Sequence, residues 1–296
     1  MQHLSVQEFA DKWGLSVRTV RNYCVSGKIA GAVREGRAWR IPEAAEPPEF
    51  GTRKNNRSNA LLKILRDEKS SHRKGGIYHK IQIEMTYNSN HIEGSRLTHD
   101  QTRYIYETNT IGLSDSIVNV DDIIETVNHF RCIDLAIDSA NQKLTEALIK
   151  QFHETLKRGT ADSRKEWFAV GLYKRFPNEV GGHETIAPED VAEKMRMLLG
   201  VYNAKSQHSF EDLLDFHVSF ESIHPFQDGN GRVGRLILLK ECLKNRIVPF
   251  MIDDSLKLYY YRGLQNWQTE RGYLTDTCLT AQDRFKKLLD YFQISY

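Results

Sequence analysis

The chain contains no run approaching the ~18 consecutive apolar residues of a membrane span, and residues 1–9 lack the apolar core of a signal peptide. A cytoplasmic protein is expected. Cysteine is sparse and scattered. Cys24, Cys132, Cys242 and Cys278 form no CxxC and no paired spacing, which argues against a disulfide framework or a zinc cluster and predicts reduced, mostly buried thiols. Net charge is nearly absent, because 41 Lys+Arg stand against 39 Asp+Glu. A site for nucleic acid or an acidic ligand must therefore arise from where the charges sit. No repeat of roughly 20 to 50 residues is visible, and no β-rich block follows residue 50. What is present is apolar material, 40% of 296 residues, sufficient for a core and for about two domains.

Proline is also scarce, and three of the seven, Pro42, Pro47 and Pro48, gather with Glu43, Glu46 and Glu49 ahead of Gly51. That composition marks a boundary. A basic, polar stretch at 53–57 follows, and then helical periodicity. Ile77, Ile81, Met85 and Ile92, with polar Asn88 on the same face, recur at steps of three and four. Val120, Ile123, Ile124, Val127 and Phe130 repeat the period, as do Leu213, Leu214, Phe216, Val218 and Phe220. Residues 170–186 break it, since Pro177, Gly181 and Gly182 interrupt Leu172, Tyr173, Phe176 and Val180. A loop or small hairpin is predicted there.

In the first 45 residues Ser5 caps a short amphipathic helix that should stop at Gly14, and Ser16 opens a second helix from Val17. On that second helix Arg18, Arg21 and Asn22 share one face, while Val17, Val20 and Cys24 share the other. Residues 32–41 alternate around a Glu35-Gly36 turn, as a two-stranded wing would. Across residues 12–40 there are seven basic residues and one acid, Glu35, a basic patch on a nearly neutral chain. The arrangement resembles the winged helix-turn-helix modules of excisionase and MerR-type proteins, which implies DNA contact through Arg18, Arg21 and Asn22. A protein-docking cap with solvated arginines fits the same residues.

The chemistry concentrates in residues 222–235, where His224-Pro225-Phe226-Gln227-Asp228-Gly229-Asn230-Gly231-Arg232 leads through Val233 and Gly234 to Arg235. A glycine-rich loop opening a helix is an anion cradle, because free backbone N–H groups and the helix dipole point at one spot. Arg232 and Arg235, three apart in the first turns, suit a polyphosphate. Asp228 offers oxygen to a Mg²⁺ that bridges the phosphates, and His224 titrates close to neutrality, as a general base requires. An EF-hand is excluded, since its twelfth position would be Leu239. His217, Glu221 and His224 stand at i, i+4 and i+7 and invite a metal reading, but the flanking Phe216 and Phe220 favour a core histidine at 217. Phe226 reads as a core anchor for the loop.

These residues are similar, at every fixed position, to the signature of the Fic (Fic/Doc) family, His-x-Phe-x-(Asp/Glu)-Gly-Asn-Gly-Arg-x-x-Arg. The resemblance extends more loosely from about residue 77 to the C-terminus. It implies a mainly all-α fold with a small flap hairpin, here at 174–183, that pins a target segment by strand addition. It also implies an enzyme, a protein adenylyltransferase that moves AMP from ATP to a Ser, Thr or Tyr hydroxyl of a protein, itself included. By resemblance His224 takes the hydroxyl proton and Asp228 holds Mg²⁺ against the phosphates. Phe226, Gly229, Asn230, Gly231, Arg232 and Arg235 form the nucleotide site, with Arg235 on the γ-phosphate. Tyr261, in Tyr260-Tyr261-Arg262-Gly263, would border the adenine, although family sequences often carry Asn where this chain has Gln268. An aromatic-core reading of these tyrosines is open beside it.

Ser89 and Glu93, ahead of Gly94, match the family's inhibitory motif, (Ser/Thr)-x-x-x-Glu-(Gly/Asn). By that resemblance Glu93 forms a bidentate pair with Arg235 in the γ-phosphate site, so that ATP binds out of line. In some relatives the equivalent acid positions a water that removes AMP, so the reverse reaction is open to this chain. The implied organisation is a winged helix-turn-helix at 1–45, a linker and lead-in helix at 46–76, an inhibitory helix region at 77–115 and a Fic domain at 116–296. The alternative is a DNA-binding transcriptional regulator whose Fic domain senses nucleotide. Family branches that transfer phosphate lack the last arginine, which this chain keeps. Partners implied are ATP, an unidentified target protein, DNA at the first domain and a homo-oligomer, with no membrane.

Overall fold

The computed structural model of the chain describes residues 3–25, 27–36, 38–46, 59–112 and 117–296. The boundary residues 47–51, the basic stretch 53–57 and wing residue Arg37 lie outside these. The chain forms two compact units, Met1–Ser58 and Asn59–Tyr296.

In the first unit β1 (His3–Leu4) leads to α1 (Val6–Trp13), α2 (Val17–Val25), β2 (Val33–Glu35) and β3 (Ala38–Pro42). Ser5 accepts from the Glu8 amide while the Glu8 carboxylate accepts from the Ser5 amide, a reciprocal cap that fixes where α1 begins. Gly14, in the left-handed region, ends it. Phe9, Ala10, Val20, Cys24, Ile29 and Ile41 form the unit's core. The wing is a three-stranded sheet of order β1-β3-β2 rather than the expected pair, because the Leu4 side chain packs on this core and its strand pairs with Ile41. Arg18, Arg21 and Asn22 are exposed on α2 opposite the buried Val20 and Cys24.

The second unit is helical: α3 (Ala60–Ser70), α4 (Ile77–Ile92), α5 (His99–Thr108), α6 (Val120–Asp138), α7 (Glu146–Lys157), α8 (Pro188–Asn203), α9 (Phe210–Ile223), α10 (Asn230–Asn245), α11 (Asp254–Gln265) and α12 (Gly272–Tyr291). Between α7 and α8 lies the predicted hairpin, β4 (Glu179–Val180) against β5 (His183–Glu184). Helix α10 is central, buried on all sides from Arg232 to Leu243, and its four charged side chains in that stretch are each met by an opposite charge. Ile77, Ile81 and Met85 of α4 and Phe216 and Phe220 of α9 join the main core around it. The apolar repeat at the start of α6 does not face that core. Val120 is 65% exposed, and Ile123 and Val127 cover a satellite cluster with Leu97, Ile105 and Phe130. From Cys132 and Ile133 onward α6 joins the main core, and the helix packs against α10. All four cysteines are buried free thiols. Among the described residues no helix is long and apolar enough to cross a membrane.

Candidate active site at the α9–α10 loop

Pro225 has no amide hydrogen to continue α9, so the helix stops at Ile223 and His224 takes a left-handed conformation, φ 51°, as its cap. The loop beyond is tied down from several sides. Phe226 is fully buried, its ring stacked 4.0 Å from that of His153 with 5° between the planes. The Phe226 side chain is therefore an anchor, and it leaves the set of ligand contacts. His153 Nδ1 accepts from the Gly171 amide at 2.9 Å, which leaves Nε2 to donate to the Asp228 carbonyl at 3.2 Å. Burial pushes this imidazole down to about 3, so it stays neutral. Asn230 also braces the loop. Its side chain accepts from the Phe226 amide and donates one of its two N–H bonds to the Phe226 carbonyl, both at 2.8 Å.

Gly229, at φ 79°, turns the chain into α10, and no side chain caps the helix. Its first amides are the cradle. Over it lies the carboxylate of Glu93, so close that a Cβ on Gly231 would collide with Oε1. Glu93 Oε1 accepts from Arg235 Nη2 at 2.7 Å. The pair makes one contact, not two: Arg235 Nη2 also donates to the Ser89 carbonyl and Nε to the Ser89 hydroxyl, each at 3.0 Å. Ser89, one turn before Glu93 on α4, thus shares the guanidinium that a bidentate carboxylate would monopolise. Burial acts against the Arg235 charge, but Glu93 outweighs it and holds the group above its ordinary value.

Arg232 faces the other way. Its Nη1 pairs with Glu125 of α6, and its Nη2 lies 3.4 Å from Asp228. Lys157, at the end of α7, donates to Glu125 at 2.5 Å and to Asp228 at 2.7 Å. For Asp228 burial alone favours the neutral acid, but Arg232 and Lys157 overcome it and hold the carboxyl well below the usual range. Its side chain is still 48% exposed. Among the described residues no three His, Cys, Asp or Glu side chains form a metal cluster. An ionised, half-exposed carboxylate beside an anion cradle fits a Mg²⁺ that takes its other oxygens from phosphates and water.

The hairpin segment is fastened to the same loop. The Lys174 amide donates to the Pro225 carbonyl at 2.9 Å, and Asn178 Nδ2 donates to the Phe226 carbonyl at 3.1 Å. Burial lowers Lys174 to about 8. Burial likewise holds the His224 imidazole below its ordinary value, with the Lys174 charge acting in the same direction. Tyr261, on α11, is 38% exposed, and burial followed by the Glu93 charge raises its phenol to about 12. Tyr260 is core, its hydroxyl bonded to Nε2 of the buried His217 at 2.5 Å. His217 is thus the buried core histidine expected, bonded through Nε2 while its Nδ1 has no partner, and Gln268 is exposed in the turn after α11.

Three residues went unread in the sequence. His153 and Lys157 sit one turn apart on α7, where they look like ordinary amphipathic positions. Glu125 lies 107 positions from its arginine. No local pattern marks it.

Residues 143–242 match the Fic/DOC family, and residues 4–45 match a helix-turn-helix domain. Among curated relatives the chain is 28% identical over 186 residues to "Protein adenylyltransferase Fic" of Culex quinquefasciatus, across 62% of this chain and 36% of that one. It is 30% identical over 187 residues to the protein of the same name from Drosophila persimilis, across 60% and 35%. The chain spans about a third of the length of these relatives. Among solved structures it is similar to a Fic domain containing signaling protein from Bacteroides thetaiotaomicron, with TM-score 0.57 and 25% identity over 79% of this chain and 91% of that one. It shares its fold with Fic-1 of C. elegans, with TM-score 0.59 and 20% identity over 78% and 70%. The chain therefore carries a Fic/DOC domain, preceded at its N-terminus by a helix-turn-helix domain.

Proposed function

We propose that the second unit is an autoinhibited adenylyltransferase that moves AMP from ATP to a protein hydroxyl. One observation carries the reading: a carboxylate, Glu93, seated over the start of α10 and against Arg235, where it stands in for an anionic phosphate oxygen. In the reaction the acceptor hydroxyl oxygen bonds to the α-phosphorus as the bond from that phosphorus to the α,β-bridging oxygen breaks, and pyrophosphate leaves. The neutral imidazole of His224 receives the hydroxyl proton. The α10 amides and Arg232 meet charge along the phosphate chain, and Arg235 meets the terminal phosphate once Glu93 is displaced. A Mg²⁺ held by Asp228 would neutralise charge on the phosphate oxygens. The hairpin, fastened to the loop through Lys174 and Asn178, offers an edge on which an extended target segment can register its hydroxyl beside His224.

The test is incubation with ATP labelled at the α-phosphate. Glu93→Gly removes a charge-assisted contact of ~1.5–3 kcal/mol, so label transfer, self-modification included, rises ~10–100-fold. His224→Ala in that background lowers it by ~10²–10⁴. Unchanged transfer on Glu93→Gly at saturating Mg-ATP removes the brake, and transfer that persists in His224→Ala removes the base. Release of label from the modified protein reports the reverse reaction. A second reading rests on the first unit, whose exposed Arg18, Arg21 and Asn22 line one face of α2 and are proposed to enter a DNA groove.

A further inference from the structure

Beneath the cradle four side chains close a ring of alternating charge. Glu125 joins Lys157 at 2.5 Å, Lys157 joins Asp228 at 2.7 Å, Asp228 lies 3.4 Å from Arg232, and Arg232 returns to Glu125. Asp162 approaches Lys157 from outside at 3.6 Å. Lys157 is 2% exposed, although lysine is almost never buried without a reason. Adenylyl transfer as described above assigns it nothing. Its ammonium stands against the one oxygen of Asp228 that also faces Arg232, on a carboxylate that a divalent cation would have to share.

We propose that Lys157 is a built-in counter-cation for Asp228. It aims the carboxylate into the cradle while no metal is bound, and its charge, balanced by Glu125, sets how strongly nucleotide and divalent cation favour each other's binding. Lys157 is thus a positioning residue, and the proposal rests on the adenylyl-transfer reading for the identity of the nucleotide. The electrostatics give the two partners opposite signs. Without the Lys157 charge the pocket gains one negative unit, and a divalent cation is drawn in more strongly. Without the Glu125 charge it gains one positive unit, and the cation is repelled. Two residues that merely held the fold would behave alike, since loss of either leaves a buried ion without its partner.

The experiment uses the full chain carrying Glu93→Gly. The dissociation constant of a non-hydrolysable ATP analogue is measured calorimetrically in EDTA and in saturating Mg²⁺, and the ratio of the two is the readout. With the ratio taken as the EDTA value over the Mg²⁺ value, Lys157→Met is expected to raise it by about tenfold or more and Glu125→Gln to lower it by as much, since a unit charge a few ångströms from a divalent cation exerts about tenfold even at the dielectric of water and more at the lower dielectric of a buried site. The double variant returns the ratio toward that of the parent, and Lys157→Arg leaves it in place. If circular dichroism shows Lys157→Met unfolded, Lys157→Arg and Glu125→Gln carry the test. Ratios that fall together in both single variants, or that do not move, overturn the proposal and leave the metal role of Asp228 standing. A parent ratio of one with tight nucleotide binding overturns the proposal and that metal role together. A parent that binds no nucleotide overturns the adenylyl-transfer reading itself, and the proposal with it.

Discussion

Two helices of this chain begin with the same charge pattern. Arg18 and Arg21 stand three residues apart at the start of α2, and Arg232 and Arg235 stand three apart at the start of α10. On α2 the pair is exposed, and among the described residues no ion pair to either arginine is seen. On α10 both are nearly buried, and each guanidinium is met by a carboxylate delivered from another helix: Glu125 of α6 for Arg232, and Glu93 from the end of α4 for Arg235. A cation taken out of water must be compensated where it sits, so burial converts a helix surface pattern into a site with fixed partners. The two partners differ in turn. Glu125 bridges two cations with 13% of its side chain exposed, whereas Glu93 touches one with 27% exposed. On the proposed function the first stays and the second leaves when nucleotide binds.

The largest expected effect breaks the buried pair. Arg232→Met removes a 5% exposed guanidinium and leaves Glu125 and Asp228 facing each other with only Lys157 between them. It should cost ~3–5 kcal/mol in chemical unfolding followed by circular dichroism. Arg18→Met, on the exposed pair, should stay within ~0.5 kcal/mol. Equal losses would mean that burial does not separate the two helices.

The spacing that made both arginine pairs legible says nothing of this difference. The loop at 224–235 and the end of α4 could be read because their signals are local: a proline after a helix, glycines at a turn, an acid at a fixed distance from a serine. The hairpin was legible as a break in periodicity. The brace that Asn230 forms on the Phe226 main chain was not legible, because its motif position does not reveal it. The bidentate pair was misjudged because Ser89, a buried hydroxyl, competes for the same guanidinium. Glu125 and Lys157 are fixed only by how α6 and α7 pack, and no period in either helix encodes that. The period at the start of α6 gave the helix but not its neighbour: the repeat covers a satellite cluster and leaves Val120 in water.

A smaller effect sharpens the contrast on the Arg235 side. Glu221 of α9 lies behind that arginine, mostly buried, and burial raises its carboxyl to about 8 from an ordinary 4.5, with Glu93 adding to the shift and Arg235 opposing it. Between those values the folded chain holds the proton and the unfolded chain does not. Its contribution to stability is therefore complete below about pH 4.5 and declines as pH rises toward 8. Glu221→Gln cannot titrate. The stability that the wild type loses between about pH 5 and 8 should be smaller in the variant, by on the order of 3–4 kcal/mol at ~1.4 kcal/mol per pKa unit. Parallel stability curves across that range would show that Glu221 is ionised throughout.

The smallest effect on folding belongs to the exposed pair, and there the comparison turns on binding. Arg21→Ala should leave stability within ~0.5 kcal/mol, because the side chain projects from α2 opposite the buried Val20 and Cys24. If α2 lies along a DNA groove, the same change removes a phosphate-facing or base-facing cation at no cost to the fold. A phosphate contact shows itself by salt: the slope of log affinity against log salt should become shallower by ~0.9, with affinity lost evenly across sequences. A base contact instead costs ~1–3 kcal/mol at one position and relaxes preference there. Fluorescence anisotropy on labelled duplexes at several salt concentrations separates the two. Binding unaltered in both affinity and slope would take Arg21 out of any DNA interface and favour a docking role for the first unit, where solvated arginines face a protein or nothing.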